Sequence, residues 1–157
     1  RKKARADAER STARQQSGHE AEVEVNLRHQ ATDNLAFTGS AGVTQVSAVE
    51  SLNGNREVSI GVGAVLTYSA PFHLTDGRWT SSLTTTFLYS HYNEPDPSID
   101  SFAKRNDHEI DATFLTSMPI NKSWSLTSTV ARTVVNSNFL NYSYNNWAAS
   151  IGASIRF

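Results

Sequence analysis

The sequence predicts an all-β fold: a transmembrane antiparallel up-and-down β-barrel of about seven visible strands, preceded by a short basic arm. Three observations predict it. From residue 19 onward the dominant hydrophobic period is two. The alternating segments run roughly 10 to 14 residues, where a globular strand has about 5 or 6 and a tilted membrane strand needs about 9 to 11. Aromatic side chains gather near the ends of the segments.

Composition narrows the field in the same direction. The chain has 157 residues, 38% hydrophobic and 18% charged, which suits about one domain. It contains no apolar run long enough for a transmembrane helix, which takes about 18 residues or more. With no Cys, thiol catalysis, Cys-ligated metals and a disulfide scaffold are excluded. A formal charge of −1 makes no case for nucleic acid.

Residues 1–18 form the basic arm. They hold Arg1, Lys2, Lys3, Arg5, Arg10 and Arg14 against only Asp7 and Glu9. The segment has no large apolar side chain and lacks the apolar middle of a secretory signal peptide. It reads as a solvated arm or a short exposed helix, or as an element that touches lipid phosphate or a partner. Residues 19–157 carry the strands and are net acidic.

The first segment sets Ala21, Val23, Val25 and Leu27 against Glu20, Glu22, Glu24, Asn26 and Arg28. The second sets Phe37, Ala41 and Val43 against Thr38, Ser40 and Thr44. The third sets Val58, Ile60, Val62 and Leu66 against Glu57, Ser59, Gly61 and Gly63. The fourth sets Trp79, Leu83, Phe87 and Tyr89 against Thr80, Thr84, Thr86 and Ser90. The fifth sets Ile110, Ala112, Phe114 and Met118 against Glu109, Asp111 and Thr113. The sixth sets Trp124, Leu126 and Val130 against Thr127, Thr129 and Thr133. The seventh sets Trp147, Ala149, Ile151 and Ile155 against Asn146, Ser150, Gly152 and Ser154.

Alternation alone does not say which face is inside. A soluble barrel turns its large apolar residues inward; a membrane barrel turns them to lipid and keeps polar residues in the lumen. Strand length and the aromatics favour lipid. Tyr68, Trp79 and Trp124 fall at one rim and Tyr89, Tyr144 and Trp147 at the other, two girdles at headgroup level. Connections are expected to be short at 32–34, 71–77 and 119–122, and longer at 49–55, 93–105 and 136–145.

The tail from Ser150 to Phe157 resembles the C-terminal β-signal of Gram-negative outer-membrane barrels. Ser150, Gly152, Ile155 and the closing Phe157 carry the likeness. The resemblance implies location in the cell outer membrane, contact with outer-membrane lipid and recognition of the last strand by the barrel-assembly machinery. More weakly, Arg132 to Phe157 looks like the end of porin-like barrels that follow tetratricopeptide repeats in exopolysaccharide or surface-lipoprotein export proteins. No such repeat is visible in this chain.

Seven strands conflict with the even number usual in bacterial single-chain barrels. Three readings follow: the C-terminal portion of a larger barrel, one protomer of a barrel built from several chains, or an unseen eighth strand. The first two fit best, because the arm has no strand pattern.

No catalytic residues, metal ligands or cofactor motif stand out, and the chain does not read as an enzyme. His19, His29, His73, His91 and His108 show no ligand spacing. The loop from Glu94 to Asp100 reads as solvated and stiffened by Pro95 and Pro97, with a divalent cation between its carboxylates as the sharper reading. The inward-facing set is Glu20, Glu22, Glu24, Arg28, Glu57, Glu109 and Asp111. It reads either as a polar filling with local Arg–Glu pairs or as a cation-favouring pore lining. The expected function is part of a transport or export pore. The alternatives are a non-conducting membrane anchor or assembly component, and a soluble β-barrel that binds small apolar ligands.

Overall fold

The computed structural model describes residues 18–49, 51–71, 74–75 and 77–155. The basic arm up to residue 17, and Phe157 at the other end, lie outside the described residues. Seven strands follow one another: β1 (Gly18–Thr32), β2 (Leu35–Ala48), β3 (Asn55–Ser69), β4 (Arg78–Tyr92), β5 (Asn106–Pro119), β6 (Trp124–Ser137) and β7 (Tyr144–Ile155). They form one antiparallel sheet in the order β1-β2-β3-β4-β5-β6-β7. All seven predicted segments are therefore strands, and each pairs with its neighbours in sequence. Short 3-10 turns occupy Ser51–Asn53 and Leu140–Tyr142, and there is no α-helix among the described residues.

The strands are 12 to 15 residues long. Their registers are regular, with one irregularity in the β1–β2 pair between Gln30 and Thr32. The turns are closed by short polar side chains. Thr32 Oγ1 accepts from the N–H groups of Asn34 and Leu35, which reverses the chain into β2. Asn121 Oδ1 accepts from the N–H groups of Ser123 and Trp124, each at 2.9 Å, and opens β6. The expected alternation of short and long connections holds only in part. The β2–β3 link over 49–54 is shorter than the β3–β4 link over 70–77; 93–105 is the long one.

The sheet is one layer and it is open. β1 and β7 are its two edges, and among the described residues no layer covers either face. Among the described residues the buried apolar side chains are only Ala36 and Val135. A closed barrel is thus not what these strands form by themselves. The apolar face is the bare one: Ile60 is 56% exposed, Phe114 47% and Ile151 76%. The opposite face is more shielded, with Gly42, Gly61, Ser90 and Asp107 all buried. The asymmetry belongs to the inner strands; β1 and β7 are exposed on both faces.

Three hydroxyls on the apolar face form a chain. Tyr68 OH lies 2.9 Å from Ser81 Oγ, which lies 3.0 Å from Thr116 Oγ1. This chain across β3, β4 and β5 satisfies groups that would be costly if left unpaired in an apolar medium.

Candidate functional site

The polar face is the candidate site, and the registers arrange it in rows across the strands. Glu22 faces Thr44, which faces Glu57, then Ser90, then Asp107. One step along, Glu24 lies in line with Gly42, Ser59, Leu88 and Glu109. The next row joins Asn26, Ser40, Gly61, Thr86, Asp111 and Thr133. Strand pleating puts every member of a row on the same side. The glycines sit where side chains crowd: a Cβ on Gly61 would lie 2.4 Å from Ser40 Oγ.

Six of the seven inward residues read from the sequence are therefore brought together. Glu20, Glu22, Glu24, Glu57, Glu109 and Asp111 all occupy the half of the face nearest the 49–54, 93–105 and 138–143 connections. Arg28 does not join them. It sits opposite Thr38 in the other half, two polar-face positions beyond Glu24. That half is lined mainly by hydroxyls, among them Thr67, Thr80, Thr84 and Ser117. The polar face is thus divided lengthwise into an acidic end and an end whose charged strand residues are Arg28 and Arg78.

Several carboxylates at the acidic end are held by neighbours. Asn55 Nδ2 donates to Glu57 Oε1 at 2.8 Å, and Thr133 Oγ1 donates to Asp111 Oδ1. Asp107 was missed in the sequence reading although it continues the phase of Glu109 and Asp111. It pairs with Arg105 at 2.7 Å, and Arg105 Nε donates to its Oδ2 at 2.8 Å. The Arg105 guanidinium lies 3.9 Å from the ring centroids of both Tyr92 and Tyr142. Asp107 Oδ1 and Asn55 Oδ1 are buried and receive no hydrogen bond among the described residues.

The registers divide the aromatic residues read as girdles between the two faces of the sheet. Tyr68 and Trp79 are cross-strand partners on the apolar face, 6.4 Å apart, with Trp124 at the same rim. Trp79 Nε1 donates to Thr75 Oγ1 at 3.0 Å. Tyr89 and Trp147 lie on the apolar face toward the other rim, Tyr89 donating to Asn106 Oδ1 and Trp147 lying 5.1 Å below Arg132. Tyr144 lies on the polar face. It faces Val135 in the row of Glu109, three positions from Trp147 and so on the opposite face. Tyr92 and Tyr142 pack against Arg105.

At the last strand, Ser150 faces Thr129, Gly152 faces Thr127 and Ile155 faces Trp124. Phe157 lies outside the described residues. A Cβ on Gly152 would have nothing within 4 Å, so nothing within the sheet requires glycine there. In the 93–105 loop the acids close turns. Asp96 Oδ1 accepts from Ser98 Oγ at 2.6 Å and Ser98 N–H at 2.9 Å, which holds its carboxyl below the usual range. Asp100 Oδ1 accepts from Phe102 N–H. Among the described residues no group of three His, Asp or Glu is placed to hold a metal ion.

Comparison with protein-family models, with curated proteins and with solved structures finds no match.

Proposed function

We propose that the chain is a membrane-spanning portion of an outer-membrane β-barrel whose polar face lines an aqueous, cation-favouring lumen, part of a transport or export pore. The observation that carries the reading is the bare apolar face of a single-layer sheet. Burying such a face is the main favourable term available to strands with almost no core among the described residues, and lipid supplies it. The spacing of the girdles fits. Trp79 and Tyr89 are ten positions apart on β4. At a rise of about 3.3 Å and a tilt of about 40° they stand roughly 25 Å apart along the membrane normal, the height of the apolar band of such barrels.

The free edges fit a barrel completed by further strands. Backbone donors and acceptors along β1 and β7 would go unpaired in hydrocarbon. The two edge strands run in the same direction, because each of the intervening pairings is antiparallel. An all-antiparallel closure then takes an odd number of added strands, from the same polypeptide or from another chain. β7, with its open glycine at Gly152, is the edge offered to the assembly machinery.

Two measurements test the proposal. The protein is expected to stay with envelopes washed at high salt and to leave them only in detergent. Reconstituted in planar bilayers, the complete assembly is expected to show discrete conductance steps. Detergent-dependent extraction without conductance would make it an anchor or assembly component. Release without detergent would contradict membrane insertion.

A further inference from the structure

The acidic end of the polar face is crossed by one cation that the sequence pattern did not single out. Arg105 ends the 93–105 connection, immediately before β5, and its side chain is 23% exposed. It makes three kinds of contact at once. It forms the ion pair with Asp107, a member of the row that contains Glu22 and Glu57. It is stacked between the rings of Tyr92 and Tyr142. It also donates to Tyr92 OH. Tyr92 belongs to the polar face, facing Asn55, while Tyr142 comes from the connection before β7.

The backbone around it laces the connections together. Tyr92 N–H donates to Arg105 O at 3.0 Å, and Asn93 N–H donates to Gly54 O at 2.9 Å. Asn138 Oδ1 accepts from Asn106 N–H at 2.8 Å, and its Nδ2 donates to Lys104 O at 2.9 Å. All three connections at this end, 49–54, 93–105 and 138–143, are thereby tied to one another, with the guanidinium at the centre. A small cavity of about 50 Å³ beside it is lined by Leu52, Glu94, Phe139 and the two tyrosines, among others.

We infer that Arg105 is the latch and the counter-charge of the acidic mouth: it pins the 93–105 and 138–143 connections over that end of the polar face, and by neutralising Asp107 it limits how strongly the lumen favours cations. The chemistry explains why one residue serves both roles. A planar guanidinium stacks on two rings and forks to a carboxylate at once, which an ammonium does not. Its charge stands within a few ångströms of a row whose other charged members are carboxylates, where nearby charges act strongly on a passing ion. The inference rests on the lumen reading for its second half and on geometry alone for its first.

The test uses the full assembly in planar bilayers, with hydrogen exchange on the same protein in lipid vesicles. Arg105→Gln is expected to raise the cation-to-anion permeability ratio about twofold to fourfold. It is also expected to speed amide exchange across 93–105 and 138–143 by about tenfold. Arg105→Lys is expected to restore the wild-type ratio but not the slow exchange. Tyr142→Leu, which keeps every charge, is expected to loosen the loops and leave the ratio unchanged; it also serves if Arg105→Gln does not assemble. A conducting protein in which Arg105→Gln changes neither quantity overturns the inference. A wild-type assembly that carries no current overturns the lumen reading instead, and loop exchange then decides the latch.

Discussion

Neutralising Glu22, Glu24 and Asp111 together, as Gln, Gln and Asn, is expected to cut the cation preference of the reconstituted protein roughly threefold to tenfold. The three lie in consecutive rows at one end of the polar face, with Glu57 and Glu109 beside them. Two unit charges about 5 Å apart in bulk water attract by about 0.8 kcal/mol, roughly a factor of four, and salt near 0.1 M screens charges beyond about 10 Å. Removing three carboxylates close to the path of an ion therefore moves the reversal potential in a salt gradient clearly toward zero. The effect is expected to fade as ionic strength rises. Thr84→Val, a neutral change in the other half of the same face, is expected to leave the reversal potential in place. Unchanged selectivity in the triple variant would remove the carboxylates from the conduction path.

The second large effect separates the two faces within one strand. Phe114 and Thr113 are neighbours at the middle of β5 and point to opposite sides. Phe114 stands between Leu83 and Val130 on the bare apolar face; Thr113 stands between Thr84 and Ala131 on the polar one. If the apolar face meets acyl chains, Phe114→Arg is expected to cost about 2–4 kcal/mol at the bilayer midplane. Thr113→Arg, whose charge enters water, is expected to cost well under half of that and to reduce current instead. Denaturant unfolding in vesicles gives the first quantity, and loss of the compact band in unheated detergent gels gives a simpler readout. Greater damage from Thr113→Arg would place the polar face against the hydrophobic medium and reverse the account.

The strands were legible because a period of two is a local signal that the sheet then reuses. Once Val58, Ile60 and Val62 alternate with Glu57, Ser59 and Gly61, pairing in register carries the same division to each neighbour. The same logic put the acidic residues of β1, β3 and β5 on one face. It did not show that they share one end, since that depends on how far each strand is shifted against the next. Tyr144 shows a related limit: it lies near the strand end, as a girdle residue does, but its parity is opposite to that of Trp147. Arg105 was illegible because its partners come from 92, 107 and 142. No periodicity connects a loop residue to rings on two other segments; only the folded connections do. The odd strand number was visible in sequence, and the structure turns it into two parallel edges on an open sheet.

The measurement that bears most directly on the account is the medium around each face. The chain has no Cys, so single-cysteine variants along β5 can be spin-labelled without background. In lipid vesicles, labels at Ile110, Ala112 and Phe114 are expected to collide with dissolved oxygen and be shielded from a water-soluble relaxant. Labels at Asp111 and Thr113 are expected to show the opposite, giving a period of two in the ratio. Water-soluble relaxant reaching Ile110 and Phe114 while Asp111 and Thr113 stay dry, or no alternation along the strand, would contradict it.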